Sequence, residues 1–175
     1  MVGRIAALAA LAVAIVVAIA ALLSGCDDND DTVSTSDVES SVTSAIESGG
    51  FDADQINDVS CPSGEEKEDG SSFECTATAG DQDVRVRIDQ DGGDTKVATA
   101  VYETGSVELT VETDYDQNAA TAVSASCSSD AAIVVALGDT FECTVEDRES
   151  QTQTITVTAQ TSGAYLFDTP AFPAG

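Results

Sequence analysis

The hydrophobic positions of this chain change period several times between residue 27 and its end. Val38, Val42, Ala45 and Ile46 stand at i, i+4, i+7 and i+8 and so share one face of a helix. Ser36 is placed to cap that helix, Glu39 three residues on completes a capping box, and Gly49-Gly50 ends it. Beyond it apolar and polar residues alternate as in half-buried strands. This predicts strands near 56–61, 72–79, 83–89 and 95–102, with a turn at Asp91-Gly92-Gly93-Asp94. The second half predicts strands near 123–127, 140–145, 154–159 and 165–167, then an extended tail, 169–175. Between the halves two patterns compete. Val107, Leu109 and Val111 alternate like a strand, whereas Val107, Val111 and Tyr115 suit a helix. The local pattern favours a strand over 107–117, and a helix is what an internal repeat would demand.

Residues 1–25 follow another rule. After Arg4 an uncharged run from Ile5 to Leu22 leads to Leu23-Ser24-Gly25-Cys26, directly ahead of the acidic block Asp27-Asp28-Asn29-Asp30-Asp31. The 18 residues of that run could just cross a bilayer core as a helix. A short basic start, an apolar middle and a small-residue approach to a cysteine have instead the order of a lipoprotein signal peptide. The cysteine is essential to that chemistry, because its thiol takes diacylglycerol before the chain is cut in front of it. Residues 1–25 are therefore expected to be removed, Cys26 to carry lipid, and residues 26–36 to form an acidic, flexible spacer. Two or more acyl chains anchor a protein stably where one does not. The expected location is extracytoplasmic, on the outer face of the cell membrane.

With Cys26 assigned to lipid, four cysteines remain: Cys61, Cys75, Cys127 and Cys143. Three pairings are possible in principle, and the local contexts choose one. Ser60-Cys61 matches Ser126-Cys127, and Phe73-Glu74-Cys75-Thr76 matches Phe141-Glu142-Cys143-Thr144. These contexts read as an internal duplication, which pairs Cys61 with Cys75 and Cys127 with Cys143. Extended downstream, the alignment sets Val84 to Ile88 beside Ile155 to Ala159, with three extra residues in the second loop. Phe73 and Phe141 precede the bridging cysteines by two residues and share their face, as core rings packed on each bridge would.

The expected fold class is α+β: two small disulfide-bridged modules, 37–103 and 104–168, each an antiparallel sheet, the first with a covering N-terminal helix. Units of this size have marginal cores. A disulfide closing a loop of this length contributes on the order of 3 kcal/mol by restricting the unfolded chain, so structural bridges are expected.

Without Arg4, five bases (Lys67, Arg85, Arg87, Lys96, Arg148) face 32 acids, a formal charge of −27. Such a surface repels nucleic acid and anionic lipid. The chain has no histidine, which excludes Ser-His-Asp and Cys-His machinery and histidine metal sites. Asp114, Asp116 and Asn118 begin like a calcium loop, but Ala119 and Ala125 stand where glycine and the bidentate Glu are needed. Asp89 and Asp91 fail similarly at Gly93 and Ala100. No cofactor or metal is expected. A glycosidase needs aromatic rings on which to stack sugars, and the chain has no Trp, three Tyr and five Phe. Arg85 and Arg87 lie on one side of their strand, either pairing with nearby acids or forming a basic island for an anionic partner.

A signal ending in cysteine, a short acidic spacer, a helix, Val59-Ser60-Cys61-Pro62, Gly70, Phe73, Cys75-Thr76 and the strand Val84 to Ile88 together resemble a family of secreted actinobacterial lipoproteins known as a domain of unknown function. In the second copy Ser128 replaces the proline. The resemblance implies a small α+β extracellular module and no activity. The expected role is non-catalytic: binding or structural work in the cell envelope, with the membrane, an envelope protein or a polymer as partner. A carboxylate-dependent secreted hydrolase and low-affinity divalent-cation binding are the alternatives.

Overall fold

Alternation of β-branched residues with Ser, Thr and acids builds most of the structure. In the computed structural model, residues 32–119, 123–161, 163–170 and 172 are described; the expected signal peptide, Cys26 and spacer residues 27–31 lie outside them. Helix α1 (Thr35–Ser48) leads into β1 (Ile56–Ser60), β2 (Ser72–Ala79), β3 (Gln82–Asp91) and β4 (Asp94–Val97), an antiparallel sheet whose spatial order is its chain order. β5 (Thr99–Glu103) leaves that sheet and runs into α2 (Thr104–Asp114). The second half supplies β6 (Val123–Ser126), β7 (Ala132–Ala136), β8 (Thr140–Asp147), β9 (Thr152–Thr161) and β10 (Ala164–Phe167). Four of these form the second sheet, in the order β10-β9-β8-β6, while β7 pairs with β5. The architecture is α+β with two antiparallel sheet modules, and each module carries one bridge, Cys61–Cys75 or Cys127–Cys143.

The two modules are built alike. Val38, Val42 and Ile46 of α1 bury against Cys75, Ala77, Val86 and Ile88, and Val107, Val111 and Tyr115 of α2 bury against Cys143, Val145, Ile155 and Val157. The Gly70 N–H donates to the Gln90 carbonyl, and the Gly138 N–H donates to the Ala159 carbonyl. Both glycines hold positive φ, 80° and 89°, which costs glycine nothing. Thr32 bridges Glu66 ahead of α1, just as Val101 pairs with Val134 ahead of α2.

Several sequence expectations change. Residues 32–36, expected to belong to the flexible spacer 26–36, are ordered: Thr32 bridges Glu66, the Val33 N–H donates to the Glu65 carbonyl, and α1 starts at Thr35. Residues 107–117 are helical: Leu109, which gave the strand pattern, is 64% exposed, and the i, i+4, i+8 series Val107, Val111, Tyr115 is what the core buries. Ser34 is the N-cap of α1 in place of Ser36, and Glu39 does not close a capping box. Its carboxylate accepts the Cys61 N–H at 3.2 Å. The strand expected over 95–102 is two strands, β4 and β5, in different sheets. The alignment of the halves also shifts. Cys75 pairs with Val86 and Cys143 with Ile155, so the second β-turn is longer by one residue, not three.

β5 joins the modules. Its alternating side chains enter both cores, Val101 the first and Ala100 and Tyr102 the second. The boundary expected between residues 103 and 104 thus falls inside continuous structure, and the described residues from Thr32 onward form one compact unit. The Gln82 side-chain amide accepts the Ala132 N–H at 3.0 Å and donates to its carbonyl at 3.2 Å, as a neighbouring strand would. Gly49, at the end of α1, lies against the Val101 carbonyl, where any β-carbon would collide with that oxygen.

Candidate functional site

The outward face of the first sheet carries the charged residues singled out from the sequence. Strict alternation sends Val84, Val86 and Ile88 inward and Arg85 and Arg87 outward. Across the β2–β3 ladder Arg85 stands opposite Thr76, Arg87 opposite Glu74, and Asp83 opposite Thr78. Arg87 Nε donates to Asp89 Oδ1 at 2.7 Å, and Lys96 Nζ to Asp91 Oδ2 at 2.6 Å. The hydrogen bond and charge of Lys96 hold the Asp91 carboxyl below its ordinary value, and Asp91 raises Lys96 in return. Both pairs lie in water, where they contribute little to stability.

Arg85 differs. It makes no ion pair or hydrogen bond among the described residues. It borders a depression of about 500 Å³ together with Asp58, Thr76, Ala77, Thr78, Asp83 and Val84. Thr78 Oγ1 donates to Asp83 Oδ1 at 3.2 Å, which orients that carboxylate. Asp58 reaches the depression because β1 is irregular: the ladder jumps between Asn57, opposite Thr78, and Ser60, opposite Thr76. Asp58 has φ of 51°, a left-handed conformation that Asp tolerates better than most residues. Bulges of this kind re-aim side chains. Sequence reasoning missed Asp58, although Asn57-Asp58 inside an alternating run is the signal that could have found it.

The second module has a different face in the same place. β6 pairs with β8 without a break, Ser124 opposite Glu146 and Ser126 opposite Thr144. By register, Thr154 and Thr156 occupy the places of Arg85 and Arg87, instead of the Thr156 and Thr158 expected from the sequence alignment.

The remaining candidates are structural in their surroundings. Cys75 and Cys143 are buried, and Phe73 and Phe141 pack as half-buried rings against the first and second cores. Asp114 accepts a hydrogen bond from Asn118 at 2.6 Å at the end of α2, a helical arrangement unlike a calcium loop. No aromatic side chain lines the Arg85 depression, so a sugar ring has nothing there to stack on.

Residues 16–95 match a family described as a domain of unknown function (DUF4333). That span includes the first helix and β1 to β3, and with them every residue lining the depression. No curated protein and no solved structure matches the chain.

Proposed function

We propose that the chain is a lipid-anchored extracytoplasmic protein with a non-catalytic binding role in the cell envelope. In this reading the domain of unknown function is of the secreted actinobacterial lipoprotein type, present in two copies. The observation that carries the anchor is cysteine accounting. Four of the five cysteines close two bridges, which leaves Cys26, directly after Leu23-Ser24-Gly25, as the thiol available for lipid. Thr32, already paired with Glu66, follows Cys26 by six positions. At about 3.3–3.6 Å per extended residue, six positions give the connecting chain a reach of at most roughly 22 Å. The matched helix-on-sheet units, with their shared bridge, glycine and glutamate contacts, support the duplication.

Metabolic labelling with a radiolabelled fatty acid tests the anchor. Wild-type chain takes up label, and Cys26→Ser leaves an unlabelled, uncut precursor; undiminished label on that variant removes the basis of the localisation. The binding role is tested by capture from envelope extract with the full chain in detergent, compared with Arg85→Gln. A component retained by the wild type and lost by the variant supports the role, and equal recovery on both counts against it.

A further inference from the structure

The geometry points to the Arg85 depression as a binding site for a small dipolar ligand, one bearing a carboxylate and an ammonium group about a dipeptide's length apart. The inference deepens the non-catalytic binding role proposed above and rests on it. Its first support is the state of Arg85. In a mature chain of 32 acids and five bases, Arg87 and Lys96 take carboxylate partners, whereas Arg85 and Arg148 take none among the described residues, and Arg85 borders a depression that also holds two carboxylates. A guanidinium left open is a planar fork suited to a carboxylate.

The second support is what surrounds it. Asp58 and Asp83 border the same depression, and Asp83 is held by Thr78 Oγ1. A simple anion meets these carboxylates and the excess negative charge of the whole surface, while a simple cation meets Arg85. A molecule carrying both charges satisfies both. Arg85 and Asp83 lie two residues apart on one face of β3. At about 3.4 Å per residue their attachment points are roughly 7 Å apart. Two extended residues of a peptide span about the same length, and the Thr76 hydroxyl beside Arg85 offers a further polar contact.

The third support is the comparison inside the chain. The second module has the same ladder but lacks the β1 irregularity that brings in Asp58, and it carries Thr154 where the first has Arg85 and Thr152 where the first has Asp83. The three charged groups therefore occur together in one module and are absent together from the other.

The test is an NMR titration of the isotopically labelled full chain in detergent micelles with alanyl-alanine, N-acetyl-alanyl-alanine and alanyl-alanine amide at matched ionic strength. Saturable shifts confined to the amides of Asp58, Thr76, Thr78, Asp83 and Arg85 are expected with the free dipeptide, and binding about tenfold weaker or worse with each blocked one. Arg85→Gln, an exposed substitution, should abolish the response, Asp83→Asn should weaken it, and Arg87→Gln should leave it intact. Equal responses to all three peptides, no saturation up to the solubility limit, or an unchanged response in Arg85→Gln overturns the assignment. A chain that ignores the dipeptide but still captures an envelope component in an Arg85-dependent way sinks this inference alone and leaves the broader binding role standing.

Discussion

The carboxylate of Glu108 accepts the backbone N–H of Cys127 at 2.8 Å, and Glu39 receives the N–H of Cys61 in the same way at 3.2 Å. In each module a helix side chain thus satisfies the first cysteine of the bridge, just past an edge strand that has no further strand beside it. Glu112, one turn beyond Glu108, accepts the Ala125 N–H at 2.9 Å and extends the seam.

Removing Glu108 should therefore cost more than a surface substitution. Glu108→Ala leaves a half-buried N–H without its acceptor, at a cost of about 1–3 kcal/mol, while Glu108→Gln keeps an acceptor oxygen and should cost less. Urea unfolding of the three proteins checks this, and equal midpoints would show that water replaces the carboxylate.

Replacing Cys61 and Cys75 together with serine should destabilise the fold by about 2–5 kcal/mol. Because β5 enters both cores and Gln82 holds Ala132, the loss should be felt in both modules. Hydrogen exchange reads this directly: protection of Val86 and of Val157 should fall together. Unchanged protection in the second module would mean that the halves unfold independently.

Gly49→Ala should be severe. Its β-carbon would collide with the Val101 backbone oxygen, and backbone yields less readily than a side chain. Overpacking at such a contact costs typically 1–3 kcal/mol and occasionally more; an upper-end value is expected, read as a lowered thermal midpoint.

The Tyr102 and Tyr115 hydroxyls are pushed above their ordinary value of 10.0, chiefly by burial. Tyr102 donates to the carbonyls of Thr161 and Ala164, and Tyr115 receives a hydrogen bond from Gln153. A folded-state pKa above the unfolded one contributes stability below the unfolded value, and that stability is lost as pH rises through the folded one. The fold should weaken progressively above about pH 10. In an ultraviolet titration, Tyr102→Phe and Tyr115→Phe should each lose part of the late tyrosinate step.

Self-repulsion among the acids should make thermal stability rise between low salt and roughly 1 M NaCl, where charges are screened within about 3 Å. Millimolar Ca²⁺ should add nothing beyond its ionic strength. A large Ca²⁺-specific rise would favour cation binding over simple solvation.

Period and spacing in the sequence carried the local structure. The i, i+4, i+8 series located α1, strict alternation located β2, β3, β8 and β9, and the twin Phe-Glu-Cys-Thr contexts indicated which cysteines pair. Each is a short-range signal: a side chain's face follows from its position in the period alone. The candidate Arg85 was visible for the same reason, since alternation by itself turns it outward.

Tertiary structure decided whatever depended on competition between faces or on distant partners. Residues 107–117 satisfy both periods, and burial of Val107, Val111 and Tyr115 against the second sheet selects the helix at the cost of exposing Leu109. Glu39 could have closed a capping box, but the Cys61 N–H, 22 residues away, takes its carboxylate instead. β7 went unread because Ala131 to Leu137 is apolar throughout and shows no alternation; its pairing with β5 is what makes it a strand. Asp58 needed the β1–β2 register, and a register is a relation between two segments that neither segment states alone.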